Sequence, residues 1–193
     1  IWVWIAMAAG VMVIAGFVRL ERRLAARGGM PLIDLALLAD VPFVRGLCAV
    51  FAFFFANLSF YLVMTLFMQN ALHLPPLQAG LAFVPLALAF VAASRYSPVR
   101  AKRRGTLVLI EGCAIQIAGL ALTGLIVILV AHPSAQLLAL PLAVIGFGQG
   151  LVMAPLSSAV LSTVRPASAG SGSGLYGTTN QIANAAGVAV IGA

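Results

Sequence analysis

The placement of basic residues constrains this chain more than any other feature of its sequence. All eleven lysines and arginines fall in three stretches, which alternate with long apolar runs and with two uncharged connections, around His73 and around His132. When the apolar runs are numbered in order, every basic stretch lies on the same side of a membrane, as cytoplasmic loops do under the positive-inside rule. The pattern predicts a multi-pass protein of a cytoplasmic membrane. The cytoplasmic loops predicted in this way are residues 19–46, 95–105 and 165–173.

Composition supports a lipid environment and argues against a water-soluble domain. Of the 193 residues, 63% are hydrophobic and 8% are charged, whereas a soluble domain carries about 25% charged residues. The net charge of +7 could suggest a nucleic-acid partner. We exclude nucleic acid because the charges sit in short loops beside apolar runs, where membrane topology already explains them.

The apolar runs are long enough to cross a bilayer as helices, since about twenty residues are needed. Their unbroken character predicts an all-α membrane bundle of six helices, the first and last of them incomplete. Because the chain begins and ends inside apolar runs, we expect it to be a piece of a longer protein. The six runs are Ile1–Val18, Leu47–Gln69, Leu77–Ser94, Thr106–Ala131, Leu137–Val164 and Gly174–Ala193.

Polar side chains form stripes on three of these runs. Residues four apart share a helix face, and in lipid such groups must face protein or water. The three stripes could line one shared cavity that binds a small molecule, and hydrogen bonding between helices is an equal alternative. The stripe residues are Asn57, Tyr61, Thr65 and Gln69 on the second run, Gln149, Met153 and Ser157 on the fifth, and Asn180, Gln181 and Asn184 on the sixth.

Glu111 is the one ionisable residue inside a predicted span. An intramembrane carboxylate is a functional candidate by default, so Glu111 could couple transport to protons. However, it lies only about 9 Å along the helix from Gly105, at 1.5 Å per residue. This depth favours a structural ion pair with Arg103 or Arg104.

No constellation of catalytic residues accompanies these features. The chain has no acidic pair in a span, no histidine beside a nucleophile and no metal-type cysteine spacing, so we predict neither an enzyme nor a metal site. The basic segment 95–104 is expected to be a solvated loop, with a gating role for Arg100, Lys102, Arg103 and Arg104 as the sharper alternative.

Several motifs together resemble the major facilitator superfamily, and specifically its fourteen-helix drug:proton antiporter branch. They read PLIDL at 31–35, PLQAGLAFVPL at 76–86 and GFGQGLVMAPL at 146–156. The resemblance implies export of hydrophobic, often cationic compounds, with a proton gradient as energy source and no cofactor. It also implies a linker helix at 1–18, a cytoplasmic connection at 19–46 and an incomplete C-terminal transporter half at 47–193.

The resemblance implies further that the second, fifth and sixth runs line the cavity and that the fourth is peripheral. The missing N-terminal half of the protein would be its partner, beside lipid and a small-molecule substrate. The loop at 95–105 lacks the acid of the usual gating motif and keeps only its basic end, which leaves Asp34 and the arginines as weak gating candidates. An exporter of one specific metabolite and a sensor derived from a transporter remain alternatives.

Overall fold

A computed structural model of the chain describes residues 34–130 and 133–192, together with positions 9, 10, 12, 15, 16 and 19. The predicted linker helix at 1–18, half of the connection at 19–46 (residues 20–33) and the turn at His132 therefore lie outside the described residues or are described at isolated positions only.

Most of the described residues are helical and none forms a β-strand, which confirms the all-α prediction. A 3-10 turn, Leu35–Ala39, precedes the first long helix, which ends in a π-helical turn, Phe67–Ala71. A second 3-10 turn, Pro166–Ser168, precedes the last helix. The helices are α1 (Val41–Leu66), α2 (Pro76–Leu81), α3 (Val84–Arg104), α4 (Leu107–Leu129), α5 (Ala135–Leu161) and α6 (Ala169–Gly192).

Four helical segments of the described chain are long and apolar enough to cross a membrane: Val41–Ala71, Pro76–Arg104, Leu107–Leu129 and Ala135–Leu161. They correspond to the second to fifth predicted runs, so the chain is a multi-pass membrane protein. Helix α6 corresponds to the sixth run and has 24 residues. Its glycine, serine, threonine and asparagine content makes it less apolar than the other four.

The predicted loop at 95–104 is wrong, because α3 continues without interruption to Arg104. Lys102, Arg103 and Arg104 occupy the last turn, where positive charge complements the helix dipole. The helix stops at Gly105, whose φ of 57° lies in the left-handed region that glycine adopts without steric cost. The segment thus begins as a membrane helix and ends as a charged helical tip.

Two other boundaries also differ from the prediction. Helix α1 begins at Val41, with Pro42 in its first turn, where the missing N–H of proline would be unpaired in any residue. The predicted loop at 165–173 is confined to Arg165 and the 3-10 turn, since α6 begins at Ala169. Its Gly/Ser-rich segment is therefore helical.

Helix α5 forms the centre of the bundle. Of its most apolar stretch 56% is buried, against 22% in each of the other three spans. A Cβ atom at Gly150 would lie 2.5 Å from the carbonyl oxygen of Phe90 in α3, and one at Gly148 would lie 2.6 Å from that of Gly112 in α4. Alternate glycines of α5 thus let two helix backbones approach from different sides, as small residues do in membrane bundles.

Helices α1 and α6 form a second layer. A Cβ at Gly187 would lie 2.7 Å from the carbonyl oxygen of Phe55, and the buried hydroxyl of Ser59 donates to the carbonyl oxygen of Gly187 at 3.1 Å. Helix α1 also reaches α5, where Gly46 packs against Val160. The two layers therefore meet along α1 and α5, and the polar faces of these helices come together there.

Candidate functional site

A chain of hydrogen-bonded amides crosses the bundle between α1, α4 and α5. Its centre is Asn57, whose Oδ1 accepts from the Nε2 atoms of Gln116 (2.9 Å) and Gln149. The Nδ2 of Asn57 donates to the carbonyl oxygen of Phe53 at 2.7 Å. The hydroxyl of Tyr61 donates to Oε1 of Gln149 at 2.7 Å. We call Asn57, Tyr61, Gln116 and Gln149 the amide network.

The three carboxamides of the amide network are buried, and each takes part in at least one side-chain hydrogen bond to another member. The exposed fractions of Asn57, Gln116 and Gln149 are 7%, 8% and 5%, and no buried side-chain nitrogen or oxygen in the described part of the chain lacks a hydrogen-bond partner. A buried polar group without a partner costs about 1–3 kcal/mol. Each amide of the network therefore depends on its neighbours, and the network joins three helices at one depth.

The network borders a cavity of roughly 330 Å³. Most of the described residues that line the cavity are apolar. Four of the lining residues are aromatic, and none of those described is charged. The lining residues are Phe53, Phe54, Asn57, Leu58, Tyr61, Leu86, Ala87, Phe90, Gln149, Met153 and Asn184. An apolar pocket with a few fixed polar groups is the usual form of a small-molecule site.

Five of the ten predicted cavity residues line this cavity: Asn57, Tyr61, Gln149, Met153 and Asn184. The other five lie elsewhere in the structure. Thr65 and Gln69 lie one and two turns further along the first helical segment, half-buried. Ser157 donates to the carbonyl oxygen of Ala154 in its own helix (3.0 Å). Asn180 accepts from Asn184 (2.7 Å), and Gln181 is exposed.

Gln116 was not predicted, and it corrects the expectation that the fourth run is purely peripheral. It lies in α4 and is not a lining residue of the cavity, and yet its amide reaches Asn57. The residue type alone could have identified Gln116, because it is the only carboxamide in the apolar helix α4. A buried amide in lipid needs a partner on another helix.

The charged residues form a separate cluster at the junction of α3 and α4. Glu111 accepts from Nε of Arg100 at 2.8 Å and from Nη1 of Arg104. Among the described residues, Lys102 and Arg103 take part in no such ion pair, so Arg104 is the one expected partner that Glu111 contacts. The side chains of Arg100 and Arg104 are 51% and 56% exposed. Glu111 thus lies at the surface of the bundle rather than in the cavity.

Asp34, a weak gating candidate, joins two connections. Its Oδ1 accepts from the backbone N–H of Ala36 (3.1 Å) and its Oδ2 from the hydroxyl of Ser168 (2.8 Å). Its own N–H donates to Oγ of Ser171 (3.0 Å). Asp34 therefore caps the 3-10 turn before α1 and holds it against the start of α6.

Comparison with known proteins decides the family. A family model described as Major Facilitator Superfamily matches residues 1–188. The chain belongs to the Major Facilitator Superfamily. The family is one of membrane transporters and not of enzymes, which agrees with the resemblance seen in the motifs.

Relatives of the chain are named for transport, export or multidrug resistance. The chain is 32% identical to the probable actinorhodin transporter of Streptomyces coelicolor, over 99% of this chain and 33% of that protein. It is 35% identical to the cephamycin export protein CmcT of Amycolatopsis lactamdurans, over 96% of this chain and 37% of that protein. It is 29% identical to the multidrug resistance protein Stp of Mycobacterium tuberculosis, over 91% and 32% respectively.

The chain spans about a third of the length of the curated relatives that it matches. No solved structure matches it.

Proposed function

We propose that the protein containing this chain is a secondary active exporter of hydrophobic, often cationic small molecules. It works by alternating access, with two halves rocking about a site near the middle of the membrane. The proton gradient drives it without a cofactor. This chain supplies part of the C-terminal half, and its partner is the N-terminal half of the same protein. The basic segments face the cytoplasm across the cytoplasmic membrane.

The observation that carries this proposal is the cavity beside the amide network. It lies where α1 and α5 meet, and its volume is within the range of small-molecule sites. Aromatic rings and the flexible Met153 suit ligands of varied shape, since methionine repacks easily. The polar contacts are neutral amides and a phenol, which favours apolar cargo with few polar groups.

The names of the relatives support export rather than uptake. Two of them are named for the movement of antibiotics, actinorhodin and cephamycin, and one for multidrug resistance. The fixed geometry of the amide network favours a second candidate, an exporter of one specific metabolite, because Gln116 and Gln149, both paired with Asn57, hold their positions without a ligand. A sensor derived from a transporter is the remaining alternative.

The test uses the full-length protein in inverted membrane vesicles under an imposed proton gradient. We expect uptake of a lipophilic cationic dye that exceeds uptake in vesicles without the protein and is abolished by a protonophore. Saturable uptake of only one compound class would favour the metabolite exporter. Absence of gradient-dependent uptake across cationic and neutral dyes and metabolites would contradict the proposal and favour the sensor.

A further inference from the structure

We propose that the cavity recognises its substrate through a hydrogen-bond acceptor, the phenol oxygen of Tyr61. It therefore favours molecules that carry an N–H or O–H donor on an apolar frame, protonated amines above all. This inference rests on the proposed function and adds the chemical feature that the substrate must carry.

The direction of hydrogen bonding is set at one backbone carbonyl. The side chain of Asn57 approaches the carbonyl oxygen of Phe53 at 2.7 Å. A carbonyl oxygen can only accept, so the atom of Asn57 that faces it must be the Nδ2 donor. The Oδ1 of Asn57 then faces the other way, towards Gln116 and Gln149, and it can only accept from them.

The orientation of Asn57 also fixes the hydrogen-bond directions of Gln149 and Tyr61 at the cavity. Since Asn57 accepts, Gln149 presents its Nε2 to Asn57 and its Oε1 to the hydroxyl of Tyr61, 2.7 Å away. Tyr61 must use its single proton to donate to Gln149. Only acceptor capacity remains on the phenol oxygen, so the network ends in an acceptor.

Tyr61 is the member of the network that a ligand in the cavity reaches most readily. It is only half-buried, whereas the three carboxamides are each less than a tenth exposed. Its ring lies edge-on to that of Phe83, with centroids 5.8 Å apart, which restrains its position.

This arrangement explains how a cavity without a charged group in its described walls can prefer a cation. Phe53, Phe54 and Phe90 line the cavity, and aromatic rings of this kind attract an ammonium through cation–π interactions. A protonated tertiary amine can in addition donate its N–H to Tyr61. A quaternary ammonium has the charge and no N–H, and so it obtains only the first interaction.

The experiment measures equilibrium binding to the full-length protein in nanodiscs. The probes are a fluorescent tertiary amine, held at a pH where it is protonated, and its N-methyl quaternary analogue. We expect the wild type to bind the tertiary amine about tenfold more tightly, the effect of one hydrogen bond to a charged donor. Tyr61→Phe removes the acceptor and also the partner of Gln149, so both probes should bind more weakly, and we expect the ratio of their affinities to fall close to one. Tyr176→Phe, which removes a phenol outside the cavity lining, is expected to keep the wild-type ratio.

Equal affinities of the two probes for the wild type would overturn the inference. So would a preference that survives Tyr61→Phe. Elution of the variant at the wild-type position in size-exclusion chromatography shows that it is folded. The wild-type comparison decides alone if the variant binds neither probe.

Gradient-driven uptake of the quaternary analogue tests the proposed function separately. Uptake without an N–H preference in binding would refute the inference and keep the exporter. A Tyr61-dependent preference without any uptake would support the inference and refute the exporter.

Discussion

The amide network and the Glu111 cluster are two polar sites on neighbouring membrane helices, built in opposite ways. The first is neutral, less than a tenth exposed in each carboxamide, and shared among α1, α4 and α5. The second is charged, and its arginines are more than half exposed beside Gly105 at the end of α3. Dipoles that pair with one another can lie inside a membrane protein, whereas charges are costly there unless water or headgroups reach them.

The difference predicts which site tolerates change. Removal of one amide leaves its partners buried and unpaired, and each unpaired group carries a desolvation penalty. Removal of one charge from the cluster leaves exposed side chains that water can solvate. Four substitutions in the full-length protein, with uptake normalised to the amount of protein in the vesicles, should show a loss of uptake that decreases from the amide network to the basic end of α3.

Asn57→Leu is expected to have the largest effect. It removes the acceptor shared by Gln116 and Gln149, so two buried donors lose their partner, and we expect uptake to fall at least about tenfold. The matched control is Asn70→Leu, which removes an exposed asparagine of the same segment and should leave uptake near that of the wild type. Equal effects of the two substitutions would contradict the role of the network.

Gln116→Leu is expected to have an intermediate effect, a loss of roughly three- to tenfold in uptake. Only one hydrogen bond to Asn57 is lost, and Gln149 still donates to the same oxygen. Because Gln116 is not a lining residue, the substitution should alter substrate affinity through the position of Asn57. Gln136→Leu, at an exposed glutamine of α5, is the control. A loss of uptake of the same size in Gln136→Leu would show that Gln116 has no special role.

Glu111→Gln is expected to have a small effect, less than about twofold, and proton-dependent uptake should persist. The carboxylate binds two exposed arginines and has no contact with the cavity lining. Loss of proton-coupled uptake at normal protein levels would show instead that Glu111 couples transport to protons.

Lys102→Gln is expected to have the smallest effect, with uptake within experimental error of the wild type. Lys102 lies in the last turn of α3 and, among the described ion pairs, belongs to none. A clear loss of uptake would indicate that the basic helix end takes part in gating.

Much of the fold could be predicted from the sequence, because hydrophobic length and charge placement act locally. The described runs are helices with ends within a few residues of the predicted ones, apart from the helical tip at 95–104 and the early starts of α1 and α6. All three exceptions lie at helix ends. Polar or charged residues were interpreted as loops, although basic side chains stabilise the C-terminal turn of a helix.

The site could be predicted only in part, because the spacing of residues gives a helix face and not a depth. Asn57, Tyr61 and Thr65 share a face, but Gln69 lies about 12 Å along the helix from Tyr61 at 1.5 Å per residue, and the cavity does not extend to Thr65. Gln181 follows Asn180 directly and so points about 100° away from it. Gln116 was missed because a single amide forms no stripe, and its partner on another helix is fixed only by packing.

The most direct test of the central claim is substrate protection of a cysteine placed at Met153. This side chain lines the cavity and is 41% exposed. The native Cys48 and Cys113, both exposed, are first replaced by alanine in the full-length protein, and Ile128→Cys on the outer surface of α4 serves as the control. We predict that a polar thiol reagent modifies Met153→Cys and that a transported substrate slows this reaction without slowing that at position 128. Modification that the substrate leaves unchanged, in a variant that still transports it, would contradict the assignment of the cavity as the substrate site.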